Sequence, residues 1–98
     1  MNIKTVGFQV LKPEVLTKVQ FKLDDAEEFL HHKIGEFDEL SVTLKELHKT
    51  TQDTHPIYEL IINLVRGANI THAKAEDRDV IVAVDKALEV IKSTAVKK

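Results

Sequence analysis

From Pro13 to Lys33 the apolar residues recur every three or four positions; from Leu40 to Glu76 they recur at every second one. This change of period constrains the fold more than any other feature of the chain. A 3.6-residue period places side chains on one face of a helix, and a two-residue period places them on one face of a strand. Val15, Val19, Leu23, Ala26 and Leu30 form the helical stripe, widened by Leu16 and Phe29. Pro13 suits a helix's first turn and holds Lys12 extended, while Gly35 suits the residue that ends a helix. The spacing predicts a helix from Pro13 to about Lys33.

Three alternating runs follow. In residues 40–49, Leu40, Val42 and Leu44 share one face and Ser41, Thr43, Lys45 and Leu47 the other. Residues 50–56 read as a polar loop containing Pro56. In residues 57–67 the two faces are Ile57, Glu59, Ile61, Asn63 and Val65, and Tyr58, Leu60, Ile62, Leu64 and Arg66. Gly67, Ala68 and Asn69 turn the chain. Residues 69–76 set Ile70, His72 and Lys74 opposite Thr71, Ala73 and Ala75, small residues over which a helix can pack closely. Before the first helix, residues 2–8 also alternate and predict a short strand, with Gly7 marking a bulge or a close approach.

Residues 77–91, DRDVIVAVDKALEVI, carry two conflicting signals. Val80, Ile81, Val82 and Val84 are β-branched and favour a strand. The apolar period nevertheless runs on from Val80 or Ile81 through Val84, Ala87 and Leu88 to Ile91, with no turn between. Period outweighs a weak propensity here, which predicts a helix from Arg78 to about Ser93. Asp77 is then its expected N-cap, Asp79 stands in its first turn, and residues 94–98 form a frayed tail. The order is β-α-β-β-β-α: an α+β fold of one domain over residues 1–98, with two helices covering one face of a four-stranded mixed sheet. Strands joined through a helix are parallel if adjacent, and the last three strands form a meander.

Ninety-eight residues suffice for one domain with one modest core. The absence of cysteine excludes disulfides and thiolate metal sites and points weakly to the cytoplasm. No run reaches the roughly 18 apolar residues of a membrane span, and the opening residues do not read as a signal peptide. The five histidines, His31, His32, His48, His55 and His72, include no i,i+4 pair and no HExxH. Glycines 7, 35 and 67 are isolated, so phosphate-cradling and nucleophile-elbow motifs are absent. The carboxylates Asp24–Asp25 and Glu27–Glu28 read as helix surface. A non-enzymatic protein with no cofactor, no metal and no membrane or DNA partner is expected.

What remains is surface. Residues 24–39 hold Asp24, Asp25, Glu27, Glu28, Glu36, Asp38 and Glu39 against Lys33, a charge of −6; the whole chain is −2, so the rest is +4. The candidate RNA contacts are Lys18 and Lys22 on the first helix, Lys74 late in the last strand, and Arg78, Lys86 and Lys92 on the second helix. Such side chains hold phosphates and position a nucleic acid without reading its sequence. The alternative is a regulatory protein–protein interaction module in which the acidic segment 24–39 meets a basic partner.

The chain resembles the ribosome hibernation-promoting and ribosome-associated translation inhibitors, the sigma-54 modulation protein family. MNIKTVGFQV resembles the family's opening strand with its glycine. KPEVLTKVQFKLDDAEEFL resembles its first helix. NITHAKAEDRDVIVAVDKALEVI resembles its most recognisable stretch, at Ala73, Ala75, Glu76, Asp79, Ala83, Val84, Asp85 and Lys86. The resemblance implies binding to the small ribosomal subunit in the mRNA and tRNA channel through the rRNA backbone; the departures named below leave open a binder that leans on ribosomal proteins or a member diverted to another partner. The resemblance also implies inhibition of translation, or ribosome hibernation, under stress. Lys22 and Lys86 match basic positions of the two helices, and Lys92, Lys97 and Lys98 fall where the family is basic. The chain departs from the family at Asp25, where a lysine is common, at Ile81, where a tyrosine is usual, and at Glu89 in a normally basic helix end. Fewer cations predict weaker, less salt-dependent RNA affinity. A short form is expected, unless the chain is one domain of a longer protein, and an exposed strand edge leaves room for a weak homodimer.

Overall fold

The computed structural model describes residues 3–47 and 57–96. In chain order the elements are β1 (Ile3–Val6), a 3-10 turn (Phe8–Val10), α1 (Pro13–Ile34), β2 (Glu39–Leu47), β3 (Ile57–Arg66), β4 (Asn69–Asp77) and α2 (Val80–Val96). The sheet order is β1-β2-β3-β4. β1 lies parallel to β2, from Ile3 opposite Leu40 to Val6 opposite Thr43. β2–β3 and β3–β4 are antiparallel. The expected α+β architecture, a four-stranded mixed sheet with two helices on one face, is the one observed.

The core forms where the two periods meet. Leu40, Val42, Leu44, Leu60, Ile62, Leu64 and Ala73 supply the sheet's covered face. Val19, Leu23, Ala26 and Leu30 of α1, and Val80, Val84, Ala87, Leu88 and Ile91 of α2, close over it. The β-branched run at the start of α2 is thus core on one side only: Val80 and Val84 are buried while Val82 is exposed.

Boundaries move where local chemistry intervenes. The first strand ends at Val6 rather than residue 8, because Gly7 has φ +84 and a Cβ there would collide with the Leu44 carbonyl oxygen. The chain passes close over β2 at this glycine, enters the 3-10 turn and buries Phe8. α1 begins and ends as its sequence predicts, with Lys12 extended, Pro13 in the first turn, and the Gly35 N–H donating to the His31 carbonyl at 3.0 Å. The start of α2 lies two residues later than expected. The Asp77 carboxylate accepts the Asp79 N–H at 2.9 Å, forming a turn, and the Asp79 carboxylate accepts the Ile81 N–H at 2.9 Å. Asp79, not Asp77, is therefore the N-cap. The helix also continues past Ser93 through Thr94 and Ala95 to Val96, because Ala95 extends the buried stripe. Of the tail expected to fray, only Lys97 and Lys98 lie outside the described residues, as do His48, Lys49 and the loop 50–56.

Candidate nucleic-acid interface

α2 stands between two grooves. One, of about 560 Å³, runs between α2 and β4 and presents Lys74 and Lys86 beside Glu76 and Glu89. The other, of about 320 Å³, runs between α2 and α1 and presents Lys22 and Lys92 beside Asp25, Asp85 and Glu89. Four of the six expected cations thus flank one helix. Lys18 is exposed one turn before Lys22, and Arg78 is exposed in the link between β4 and α2.

The cations do not form an unbroken positive surface. The Lys22 ammonium bonds the Asp85 carboxylate at 2.8 Å, tying α1 to α2. Lys86 bonds Asp77 at 2.8 Å, tying α2 to the end of β4. Lys74 bonds Glu59 at 3.0 Å across β4 and β3. Lys92 lies 5.1 Å over the Phe29 ring, a cation–π contact. The Lys86 bond, and then the Asp79 N–H, hold the Asp77 carboxyl below the usual aspartate range. The hydrogen bond from Lys74 to Glu59, backed by that carboxylate's charge, raises the Lys74 ammonium above its ordinary value. A phosphate entering either groove meets at least one lysine that a carboxylate already holds, and competes with that carboxylate for it; Lys92 in the smaller groove rests on a ring instead.

Two carboxylates are buried although their charge suggests surface. Glu27, expected with Glu28 on the helix surface, is buried. It stands four residues after Leu23 and three before Leu30, so the apolar stripe itself predicts its position. His31 lies beside it, its Nε2 at 4.0 Å from the Glu27 carboxylate. The His31 ring stacks on Phe37 at 4.2 Å, and its Nδ1 lies 3.2 Å from the Gly35 carbonyl, to which only a protonated nitrogen can donate. This histidine fastens the end of α1 to the approach to β2. Glu59 is the lone acid in the apolar run of β3, and it is buried on the sheet face away from the helices. On the same face His72 pairs with the Asn63 side-chain oxygen.

Catalytic motifs and cysteine are absent from the sequence. Among the described residues no cluster of three or more His, Cys, Asp or Glu could hold a metal, and no helix is long and apolar enough to cross a membrane.

No protein-family model and no curated protein sequence matches the chain. Solved structures do. A ribosomal subunit interface protein from Coxiella burnetii superposes with a TM-score of 0.63 at 19% identity, over 99% of this chain and 96% of its own. The N-terminal domain of Thermus thermophilus Protein Y superposes with a TM-score of 0.62 at 19% identity, over 99% of this chain and 98% of its own. The fold of this chain is that of the ribosomal subunit interface and Protein Y-like proteins, from end to end.

Proposed function

We propose that this chain is a non-enzymatic cytoplasmic regulator that binds the small ribosomal subunit and holds back translation or preserves resting ribosomes. The observation that carries this reading is the correspondence in fold, over nearly the whole of both chains, with a protein described as acting at the ribosomal subunit interface. The four lysines flanking α2 support a contact with rRNA backbone, with Lys18 and Arg78 extending it along α1 and the β4–α2 link. Such contacts position a partner without reading sequence. The carboxylates paired with Lys22, Lys74 and Lys86 weaken that contact and leave more of the binding to ribosomal proteins.

Those same ion pairs favour a second reading, in which the acidic outer face of α1, with Asp24, Asp25 and Glu28 exposed, meets a basic protein. Co-sedimentation with purified small subunits at low and high salt separates the two. The ribosomal reading expects binding at low salt that weakens at high salt. It also expects at least a tenfold loss with Lys22→Glu plus Lys86→Glu, and little change with Lys4→Glu. No binding at low salt rejects it. Binding that survives reversal of the lysines but is lost on reversal of Asp24, Asp25 and Glu28 transfers the contact to the acidic face.

A further inference from the structure

Phe21 of α1 stands two residues before the fully buried Leu23, a step of about 200° round the helix, so its ring points away from the sheet. At 72% it is the most exposed large apolar side chain among the described residues. With Leu16, Thr17, Gln20 and Asp24 it lines a shallow cleft of about 310 Å³. Helical spacing puts Lys18 and Lys22 on the other side of Phe21, where Lys22 reaches across to Asp85 of α2. An occupant of the cleft therefore lies clear of both lysines and of the grooves beside α2. The polar groups round the ring are acceptors. Thr17 donates its hydroxyl proton to the Pro13 carbonyl at 3.0 Å, which leaves its oxygen to accept. Asp24, and Glu28 two turns beyond Phe21, are exposed carboxylates. Among the described residues no cation holds either of them, whereas Glu59, Asp77 and Asp85 each bond a lysine.

We infer that the cleft beside Phe21 docks an arginine carried by a basic protein segment. The apolar stem lies over Leu16, the guanidinium stacks on the Phe21 ring, and its N–H groups donate to Asp24 and Glu28. Three features of the cleft select this occupant. Unpaired carboxylates repel phosphate, and they repel a second copy of the same face. Acceptors round the ring call for a donor. An exposed ring on an apolar floor calls for a cation that tolerates apolar contact. Arginine meets all three: its planar guanidinium stacks on aromatic faces, its fork of N–H donors matches carboxylates, and its stem is apolar. Lysine is a compact, strongly hydrated charge and meets only the first two. This inference rests on the reading of α1's outer face as a contact for a basic protein, and it is independent of the rRNA contact at α2.

The probe is a short fluorescent peptide in which arginine alternates with serine, compared with the same peptide carrying lysine for arginine. Anisotropy at low salt gives the affinities, backbone amide shifts locate the site, and circular dichroism shows that each variant is folded. The arginine peptide is expected to bind more tightly than the lysine peptide and to shift the amides around Phe21. Phe21→Ala should lose about two- to fivefold, the worth of an exposed cation–π contact, and should abolish the preference for arginine. Phe21→Tyr should keep both. Asp24→Asn plus Glu28→Gln should weaken both peptides. Lys22→Glu plus Lys86→Glu should leave the arginine peptide bound at least as tightly, whatever it does to small-subunit binding. No binding of the arginine peptide at low salt, or shifts confined to the grooves beside α2, overturns the docking site. Peptides that bind alike and are unaffected by Phe21→Ala, yet are lost with the two amides, overturn the role of the ring while the acidic-face reading stands. A single-stranded oligonucleotide that shifts the same amides hands the face to RNA and overturns both.

Discussion

At the scale of single residues, a few positions carry constraints that substitution should expose. Gly7 and Gly67 both have positive φ, but only at Gly7 would a side chain meet backbone, at the Leu44 carbonyl. Asparagine tolerates the left-handed region, so Gly67→Asn should cost no more than about 0.5 kcal/mol. Gly7→Asn should cost roughly 2 kcal/mol or more, a fall of ~10 °C in Tm for a domain of this size, measurable by thermal denaturation. The sequence marks Gly7 as a special site because it interrupts an alternating run. It does not tell a bulge from a close approach, since that depends on which strand lies beneath. Asp77 provides a test in pH. Its folded pKa is depressed by Lys86 and the Asp79 N–H, so its contribution to stability is present above its ordinary value of 3.8 and fades as pH falls through the lower folded value. Asp77→Asn should therefore be less stable than wild type at pH 6, and the gap should narrow below pH 3.8 in urea melts. A constant gap between pH 6 and the acid limit would reject the role given to this carboxylate.

At the scale of elements, period proves a better guide than propensity. The valine-rich start of α2 has the composition of a strand, yet Leu88 and Ile91 extend a helical stripe that no strand of this length would continue. Core burial at Val80, Val84, Leu88 and Ile91 follows that stripe. The helix ends were harder to place because they depend on individual hydrogen bonds. Asp77 and Asp79 are both good caps by type, and only the turn closed by the Asp77 carboxylate assigns the cap to Asp79. Asp79→Ala should then cost about 1 kcal/mol, read as a lower midpoint in denaturant with an unchanged slope. Asp79→Asn should restore most of it. At the other end Ala95 is buried, and its weak apolar character hid the helix's last turn among polar neighbours. The pairing of strands was legible because β2, β3 and β4 alternate without interruption and no helical stripe stands between them, which leaves only a meander. The chemistry on the open face was less so: a lone Glu59 in an apolar run signals something buried and paired, but the pairing with Lys74 depends on register.

At the scale of the whole molecule, the placement of the cations was legible and their availability was not. Helical spacing puts Lys22 on α1 and Lys86 and Lys92 on α2, and the fold then gathers them with Lys74 beside α2. It also brings Asp85, Asp77 and Glu59 to within hydrogen-bonding distance of three of them. The charges are far apart in sequence and meet only through packing, so the number of lysines overstates the positive surface. Local charge balance makes a prediction that net charge does not. If the grooves receive rRNA backbone, Asp85 competes with phosphate for Lys22, and Glu89, which lines both grooves, repels it from either side. Replacing both acids by their amides, Asp85→Asn and Glu89→Gln, should strengthen binding to small subunits several-fold at low salt. Each additional phosphate neutralised should steepen the fall of log K with log salt by about 0.7 to 0.9. Filter binding or co-sedimentation across a salt series measures both quantities. Unchanged affinity and slope would place the ribosomal contact away from α2. A loss of affinity would show that the carboxylates themselves meet the partner, which is then a basic protein rather than RNA.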